Sequence, residues 1–463
     1  MVQFLPEELA AWTGGRWSAR PALPPTGFAI DTRELGAGQA FVAVKTGRRD
    51  GHDFLPAAEA AGARAALVAV ANPAVALPQL VVPDPVAAFQ RVARGHRRRF
   101  AGPVIGISGS AGKTSTKELL ALLLGAGVLA TAGNLNNQLG VPLTLTRLDP
   151  AVHLFAVIEA GIGAPGEMGP LAAMIAPDIA IITLVAAAHL GELGDLAGVA
   201  REKALLAAAV RSGGVALFPA ACAAWPAFRE LGGCAVVVGR TGEEGALPPA
   251  RTGEERVYFS AVHRGAETTI TVGGAEPPEA FTLPRVSEGM AQNAVLAICA
   301  ARRLGLPAAA IRRRLAAWRP APLRGEVRQR AGQLLYLDCY NANPAAMADA
   351  LAAFGASAPA AQPRLYILGG MEELGAEAAR YHRELGRSLH LRAADFLYLL
   401  GPEAGAVREG ALENGNRAEQ IAVVAGLEPV AARLSAFAGA VFIKGSRRYA
   451  LETLVGEAEA AHA

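Results

Sequence analysis

Gly106-Ile107-Ser108-Gly109-Ser110-Ala111-Gly112-Lys113-Thr114 decides the fold of this chain. The stretch begins inside the apolar strand-like run Val104 to Ile107 and opens a helical run predicted from Thr116 to Leu124. In the order strand, glycine loop, helix, consecutive backbone N–H groups close around a phosphate at a helix N-terminus. The phosphate cradle is expected from Gly109, Ser110, Ala111, Gly112, Lys113, Thr114 and Ser115. Lys113 is placed to reach the β- and γ-phosphates, and the Thr114 hydroxyl to bind Mg²⁺. Ile107 stands where the first glycine of a strict P-loop belongs, so the spacing is G-x-x-G-x-x-G-K-T. ATP or GTP is the expected ligand.

Working outward, apolar runs recur at Leu154–Ile158, Ile179–Thr183, Leu334–Leu337, Leu365–Leu368, Phe396–Leu399 and Val441–Ile443, most of them separated by Ala/Leu-rich helical stretches. This alternation predicts α/β domains with largely parallel sheets, whose ligand sites lie at the C-terminal ends of the strands. Glu159, Asp338 and Lys444 sit at such ends. Trp318-Arg319-Pro320-Ala321-Pro322 follows a helical run and precedes a strand, which marks a boundary, and a second boundary falls before Pro103. Thr241 to Glu255 reads as a surface loop.

Length and charge narrow the partners. At 463 residues the chain is expected to form roughly three domains of about 150 residues each. Forty-four Lys and Arg against 41 Asp and Glu leave no broad electrostatic footprint for nucleic acid or an anionic membrane. The basic run Arg94 to Arg99 reads as the solvated face of a linker helix. Cys222, Cys234, Cys299 and Cys339 lack C-x-x-C spacing, so neither a disulfide framework nor a zinc site is expected. The N-terminal MVQFLPEELAAW is acidic where a signal peptide is basic, and no run is long enough to span a membrane. A cytoplasmic monomer is the expectation.

Downstream of the glycine loop come Gly133-Asn134-Leu135-Asn136-Asn137-Gln138-Leu139-Gly140-Val141-Pro142, then Glu159-Ala160-Gly161, then His189, with Lys203 fourteen positions later. Together these resemble the Mur ligases. Asp31-Thr32-Arg33, Phe41-Val42-Ala43 and Asp50-Gly51-His52-Asp53-Phe54 are similar to the UDP-binding domain of that family. Asp338-Cys339-Tyr340-Asn341-Ala342-Asn343-Pro344, Leu368-Gly369-Gly370-Met371-Glu372-Glu373-Leu374-Gly375 and Lys444-Gly445-Ser446-Arg447 resemble its MurF-type signatures. The resemblance spans nearly the whole chain. It implies an N-terminal UDP-sugar-binding domain over 1–100, a central P-loop ATP-binding domain over 101–318 and a C-terminal Rossmann-like domain over 319–463. The implied reaction is ATP-dependent addition of D-Ala-D-Ala to UDP-N-acetylmuramoyl-tripeptide through an acyl phosphate, a step of peptidoglycan precursor synthesis. A Mur-like ligase with another amino-acid substrate and a nucleotide-binding pseudo-ligase scaffold are the alternatives.

Joining a carboxylate to an amine requires activation, and two anions must meet in the first step, so positive charge has to gather around the phosphates. Lys113 supplies part of it. Thr114 and Glu159 are oxygen ligands suited to Mg²⁺. By resemblance, His189 helps hold a second metal ion, and Lys203 is a lysine that CO₂ carbamylates into an anionic ligand, although Ala204 and Leu205 replace the Gly and Glu usual after it. For ATP, Asn293, Arg324 and Asp338 are the further expected contacts. In the helix implied to contact adenine, the family's G-x-H-N-x-x-N is reduced to Ser287-Glu288-Gly289-Met290-Ala291-Gln292-Asn293. Leu184, Gly191 and Leu337 also replace the residues usual at their positions. Thr32 and Arg33 are the expected uridine and diphosphate contacts, with Lys45 as a further polar one. Asn134, Asn136 and Asn137 offer amides to a polar substrate. Asn343, Lys444, Ser446 and Arg447 come from the domain that the family uses for the incoming dipeptide, where Arg447 is suited to grip a carboxylate.

Overall fold

The computed structural model describes residues 2–274, 277–330 and 332–456. Three sheets follow one another along the chain. The first has five strands in the order Arg16–Trp17, Gln79–Val81, Ala65–Val68, Ala40–Val42, Phe28–Ala29, parallel except at the Arg16–Trp17 edge. The second has nine strands and the third six. In the second, Val104–Ser108 lies between Phe155–Glu159 and Ile179–Ile182, both parallel to it. The chain therefore reaches its two neighbours in opposite directions from this strand. Such a switch point leaves a crevice beyond the strand ends, where ligands of open α/β sheets bind.

Alternation along the central strand builds both faces. Val104 packs into one cluster, while Ile105 and Ile107 pack with Leu119, Leu120 and Leu123 of the helix Lys113–Leu124 and with Val295 and Ile298 of the helix Glu288–Arg303. All of these are fully buried. At about 25 cal/mol per Å² of apolar surface, a buried Leu or Ile contributes ~1.5–3 kcal/mol, which pins the helix that carries the glycine loop. That helix begins at Lys113, three residues before its predicted start, because Gly112 already serves as its N-cap. Lys113 and Thr114 are thus its first two residues, where unpaired N–H groups and the helix dipole favour an anion.

In the third sheet Gln333–Asp338, Gly439–Lys444 and Arg364–Leu368 are parallel neighbours. Their register aligns Asp338 with Lys444 and Lys444 with Leu368, so the polar ends meet at one edge.

One expectation holds only in part. In the run Arg94 to Arg99, Arg94, Arg98 and Arg99 are exposed, but His96 and Arg97 are each 3% exposed. The Arg97 guanidinium donates to the carbonyls of Ile175, Phe100 and Ala176 and pairs with Asp178 at 3.2 Å. A planar fork with five donors can tie the helix Pro85–Arg97 to the end of another helix, so this charge is structural. No helix among the described residues is long and apolar enough to cross a membrane.

Candidate active site

The glycine loop is held from behind by the segment after Ile179–Ile182. Ser110 N–H donates to the Leu184 carbonyl at 2.8 Å, and the Ser110 hydroxyl donates to the Ala186 carbonyl at 2.8 Å. At position 184 the backbone does the work, which is why Leu is tolerated there. Gly112 has φ of 80°, and a Cβ on it would stand 2.2 Å from Asn293 Nδ2. Only glycine lets Asn293 lie against the loop at that point.

Lys113 Nζ donates to the Gly109 carbonyl at 2.8 Å. Burial lowers its pKa below the usual lysine value; the Glu159 carboxylate opposes this and the Arg324 guanidinium reinforces it. Glu159 is 1% exposed. Its Oε1 accepts from Asn136 Nδ2 at 2.7 Å, whereas its Oε2 is buried with no partner. A buried carboxylate oxygen without a donor is costly unless a ligand completes it. Beside the loop that ligand can be a cation. No cluster of three or more His, Cys, Asp or Glu suited to a metal occurs among the described residues. The one orphaned carboxylate oxygen of Glu159 suits Mg²⁺, which keeps several waters and takes one or two carboxylates plus substrate phosphates.

Lys203 is 1% exposed, inside the helix Leu196–Ala208. Desolvation, and then the charge of Lys113, push its pKa well below the usual lysine value. The replacements that follow it diverge, since Ala204 is 4% exposed and Leu205 43%. His189 lies at the loop end with φ of 55°, and its Nδ1 meets Glu373 Oε2 at 2.5 Å. Glu373 itself has φ of 64°. Two non-glycine residues in the left-handed region therefore meet across the second and third sheets, the kind of strain that clusters at functional sites. The hydrogen bond from His189 holds the Glu373 carboxyl below its usual pKa. Gly191 N–H faces the Glu373 carbonyl at 3.4 Å, and a Cβ on Gly375 would stand 2.8 Å from the Gly191 Cα. Here two backbones touch.

A cavity of about 1120 Å³ runs from the glycine loop and Glu159 to the third sheet, and Asn134, Asn136, Asn293, Arg324, Asp338, Asn343 and Lys444 all line it. Asn343 Nδ2 donates to the Ser110 carbonyl at 3.0 Å while its Oδ1 caps the helix Pro344–Ser357. The residue expected at the dipeptide thus joins the third domain to the loop. Lys444 Nζ donates to Asp338 Oδ2 at 2.6 Å and to the Asn341 carbonyl at 3.2 Å, so its charge is already met. Arg324 stacks on the Tyr340 ring at 4.0 Å and Arg447 lies over the same ring at 5.7 Å. Arg447 also pairs with Glu452 at 3.0 Å. The Ser446 hydroxyl accepts from the Glu372 N–H at 3.2 Å.

Other predicted residues lie elsewhere. Asn137 is absent from the cavity lining, and its Oδ1 accepts from the N–H groups of Leu139 and Gly140, which shapes the turn into the helix Gly140–Leu145. Thr32, Arg33 and Lys45 belong to the first domain, outside this cavity. The Arg33 side chain, 81% exposed, forks onto Asp31, whose pKa its hydrogen bonds lower to about 2. Lys45 pairs with Asp50 at 3.2 Å. Glu373 and Tyr340 are residues that the sequence reading left without a role. Both fall inside quoted signatures, and their proximity to His189 and Arg324 is set by sheet topology.

Comparison with known proteins adds an independent line. Residues 25–97 match the description Mur ligase family, catalytic domain; 107–301 match Mur ligase middle domain; and 323–447 match Mur ligase, glutamate ligase domain. The UDP-N-acetylmuramoyl-tripeptide--D-alanyl-D-alanine ligase of Escherichia coli is 32% identical over 430 residues, 92% of each chain. The enzyme of that name from Treponema pallidum is 31% identical over 98% of each. Among solved structures, MurF from Acinetobacter baumannii aligns with a TM-score of 0.85 at 27% identity, covering 98% of each chain. MurF ligase from Thermotoga maritima in complex with ADP aligns with a TM-score of 0.78 at 26% identity, covering 93% of this chain and 96% of that one.

Proposed function

Because this chain belongs to the Mur ligase family, we propose that it is the ATP-dependent ligase that adds D-Ala-D-Ala to UDP-N-acetylmuramoyl-tripeptide. The observation that carries this reading is the single cavity that the glycine loop, Glu159 and the strand ends of the third sheet share. A nucleotide in the loop and an amine presented by the third domain then meet in one space.

In the first step a tripeptide carboxylate oxygen bonds to the γ-phosphorus and ADP leaves, giving an acyl phosphate. The dipeptide amine then attacks the acyl carbon, phosphate leaves and the amine loses a proton. Lys113 and the loop N–H groups draw negative charge off the phosphates, and Arg324 adds charge from the third domain. Mg²⁺ held by Thr114 and Glu159 would supply further charge neutralisation. His189 and Lys203, the latter carbamylated, are the proposed ligands of a second ion, and the low pKa of Lys203 favours the neutral amine that CO₂ requires. Residues 1–100 are assigned to the UDP-sugar, 101–318 to ATP and 319–463 to the dipeptide.

The test is release of ADP and phosphate from purified protein given ATP, UDP-N-acetylmuramoyl-tripeptide and a panel of D-dipeptides. Hydrolysis should require both acceptor and donor and be fastest with D-Ala-D-Ala; absence of ligated product with every dipeptide overturns the assignment. Arg33→Ala bears on the first domain. Loss of a charged contact is expected to raise the KM for the UDP-peptide about tenfold while leaving that for ATP within about twofold. Equal rises for both substrates would remove Arg33 from the uridine site.

A further inference from the structure

The helix Pro344–Ser357 has a single ionisable residue, Asp349, in the sequence PAAMADALAAFGAS. The face it turns to the cavity carries Ala346, Asp349, Ala350 and Ala353, which follow the three-to-four residue spacing of one helical side. Apart from Ser357 near its end, this alanine-rich wall thus presents one polar side chain, a carboxylate. Opposite it stands the N-terminus of the helix Glu288–Arg303, where Gly289 N–H donates to Asp349 Oδ1 at 2.9 Å. A Cβ on Gly289 would lie 2.7 Å from Asp349 Oδ2, so a glycine at 289 and an acid at 349 fit as a pair. Asp349 forms no ion pair with a basic side chain among the described residues.

Its place along the cavity gives this acid a partner. Asn293 touches the loop at Gly112, and Gly289 lies one helical turn, about 5.4 Å of rise, beyond Asn293. With the phosphates in the loop, the opposite end of a nucleotide is its base. Burial raises the Asp349 pKa, and hydrogen bonds from the Ser287 side chain and the Gly289 N–H oppose that rise by favouring the ionised form; an ionised carboxylate only accepts hydrogen bonds, and adenine offers an exocyclic amine that only donates. Resting on ATP as the nucleotide, we infer that Asp349 reads the base, its carboxylate accepting from the adenine amine. The acceptor comes from the third domain; on the Glu288–Arg303 helix Gly289 and Met290 offer no polar side chain, while Gln292 faces the Thr183 carbonyl at 3.4 Å and Asn293 lies against Gly112 at the loop. Base recognition therefore requires that both domains close on the same nucleotide.

The experiment is displacement of a fluorescent ATP analogue from the full chain by ATP, by purine riboside triphosphate, which lacks the amine, and by GTP. Wild type is expected to bind ATP about tenfold or more tightly than purine riboside triphosphate, the range for a hydrogen bond to a charged group. Asp349→Ala should bring the two within about twofold. Gly289→Ala, which keeps the acid but crowds its carboxylate, should shrink the ratio as well, and it carries the test if Asp349→Ala fails to melt cooperatively. An unchanged ratio in the folded variants would reduce Asp349 to a helix cap and overturn the inference. So would tighter wild-type binding of GTP than of ATP. The readout needs no ligation: discrimination without D-Ala-D-Ala transfer sinks the proposed function and spares Asp349, and transfer without discrimination does the reverse.

Discussion

Lys113→Ala is expected to lower ligation by about a thousandfold or more while the protein stays folded, because positioned charge is the main catalytic device in phosphoryl transfer. The side chain is well placed for such an effect. Its Nζ rests on the Gly109 carbonyl, a contact that ligand phosphate oxygens can replace, and Glu159, Arg324 and Glu373 are the charges that act on it. Removing the ammonium leaves the helix Lys113–Leu124 pinned by the buried Leu119, Leu120 and Leu123. Steady-state turnover beside a circular dichroism melt separates chemistry from folding. Near-normal turnover would remove Lys113 from the phosphates.

Lys203→Ala carries the second large effect, a loss of about a hundredfold or more if its carbamate is a metal ligand, and this loss should be partly restored by formate or acetate. Burial makes the test discriminating. A charged lysine at 1% exposure beside Lys113 is disfavoured, so the amine is biased toward the neutral form that reacts with CO₂. The carboxylate additive should not speed the wild type. An independent readout is the carbamate ¹³C signal after ¹³C-bicarbonate is supplied, expected in wild type and absent in the variant. A wild-type rate in Lys203→Ala, or no carbamate signal in the unsubstituted protein, overturns the role.

Much of this fold was legible in the sequence because it rests on local order. Apolar runs of strand length, each closed by a polar residue, correspond to the strands Val104–Ser108, Phe155–Glu159, Ile179–Ile182 and Gln333–Asp338. The glycine loop is legible for the same reason, since its chemistry is carried by neighbours in sequence. What escaped depends on the backbone or on long-range pairing. Leu184 was read as a departure, yet its carbonyl holds Ser110, and a carbonyl has no residue signature. Arg97 has the residue type of its solvated neighbours, and only the fold brings the Ile175 and Ala176 carbonyls of another segment to it. Asn343 has the residue type of a substrate contact and also of a helix cap, and only the fold decides that both its amide atoms are already in use. Lys444 and Asp338 were assigned to different ligands, but parallel register makes them one ion pair.

The meeting of Gly191 with Gly375 has a mechanical consequence. Where side chains interlock, parting two bodies means extracting apolar groups into water, and the barrier grows with their size. At this corner the atoms in closest approach are backbone: beside the buried Leu190, Leu193 and Leu374, separation breaks the long contact from Gly191 N–H to the Glu373 carbonyl and the pair between His189 and Glu373. Hydrogen bonds and charge thus contribute to the strength of this junction alongside apolar packing. The part of its grip that rests on the His189–Glu373 pair should therefore weaken as ionic strength rises.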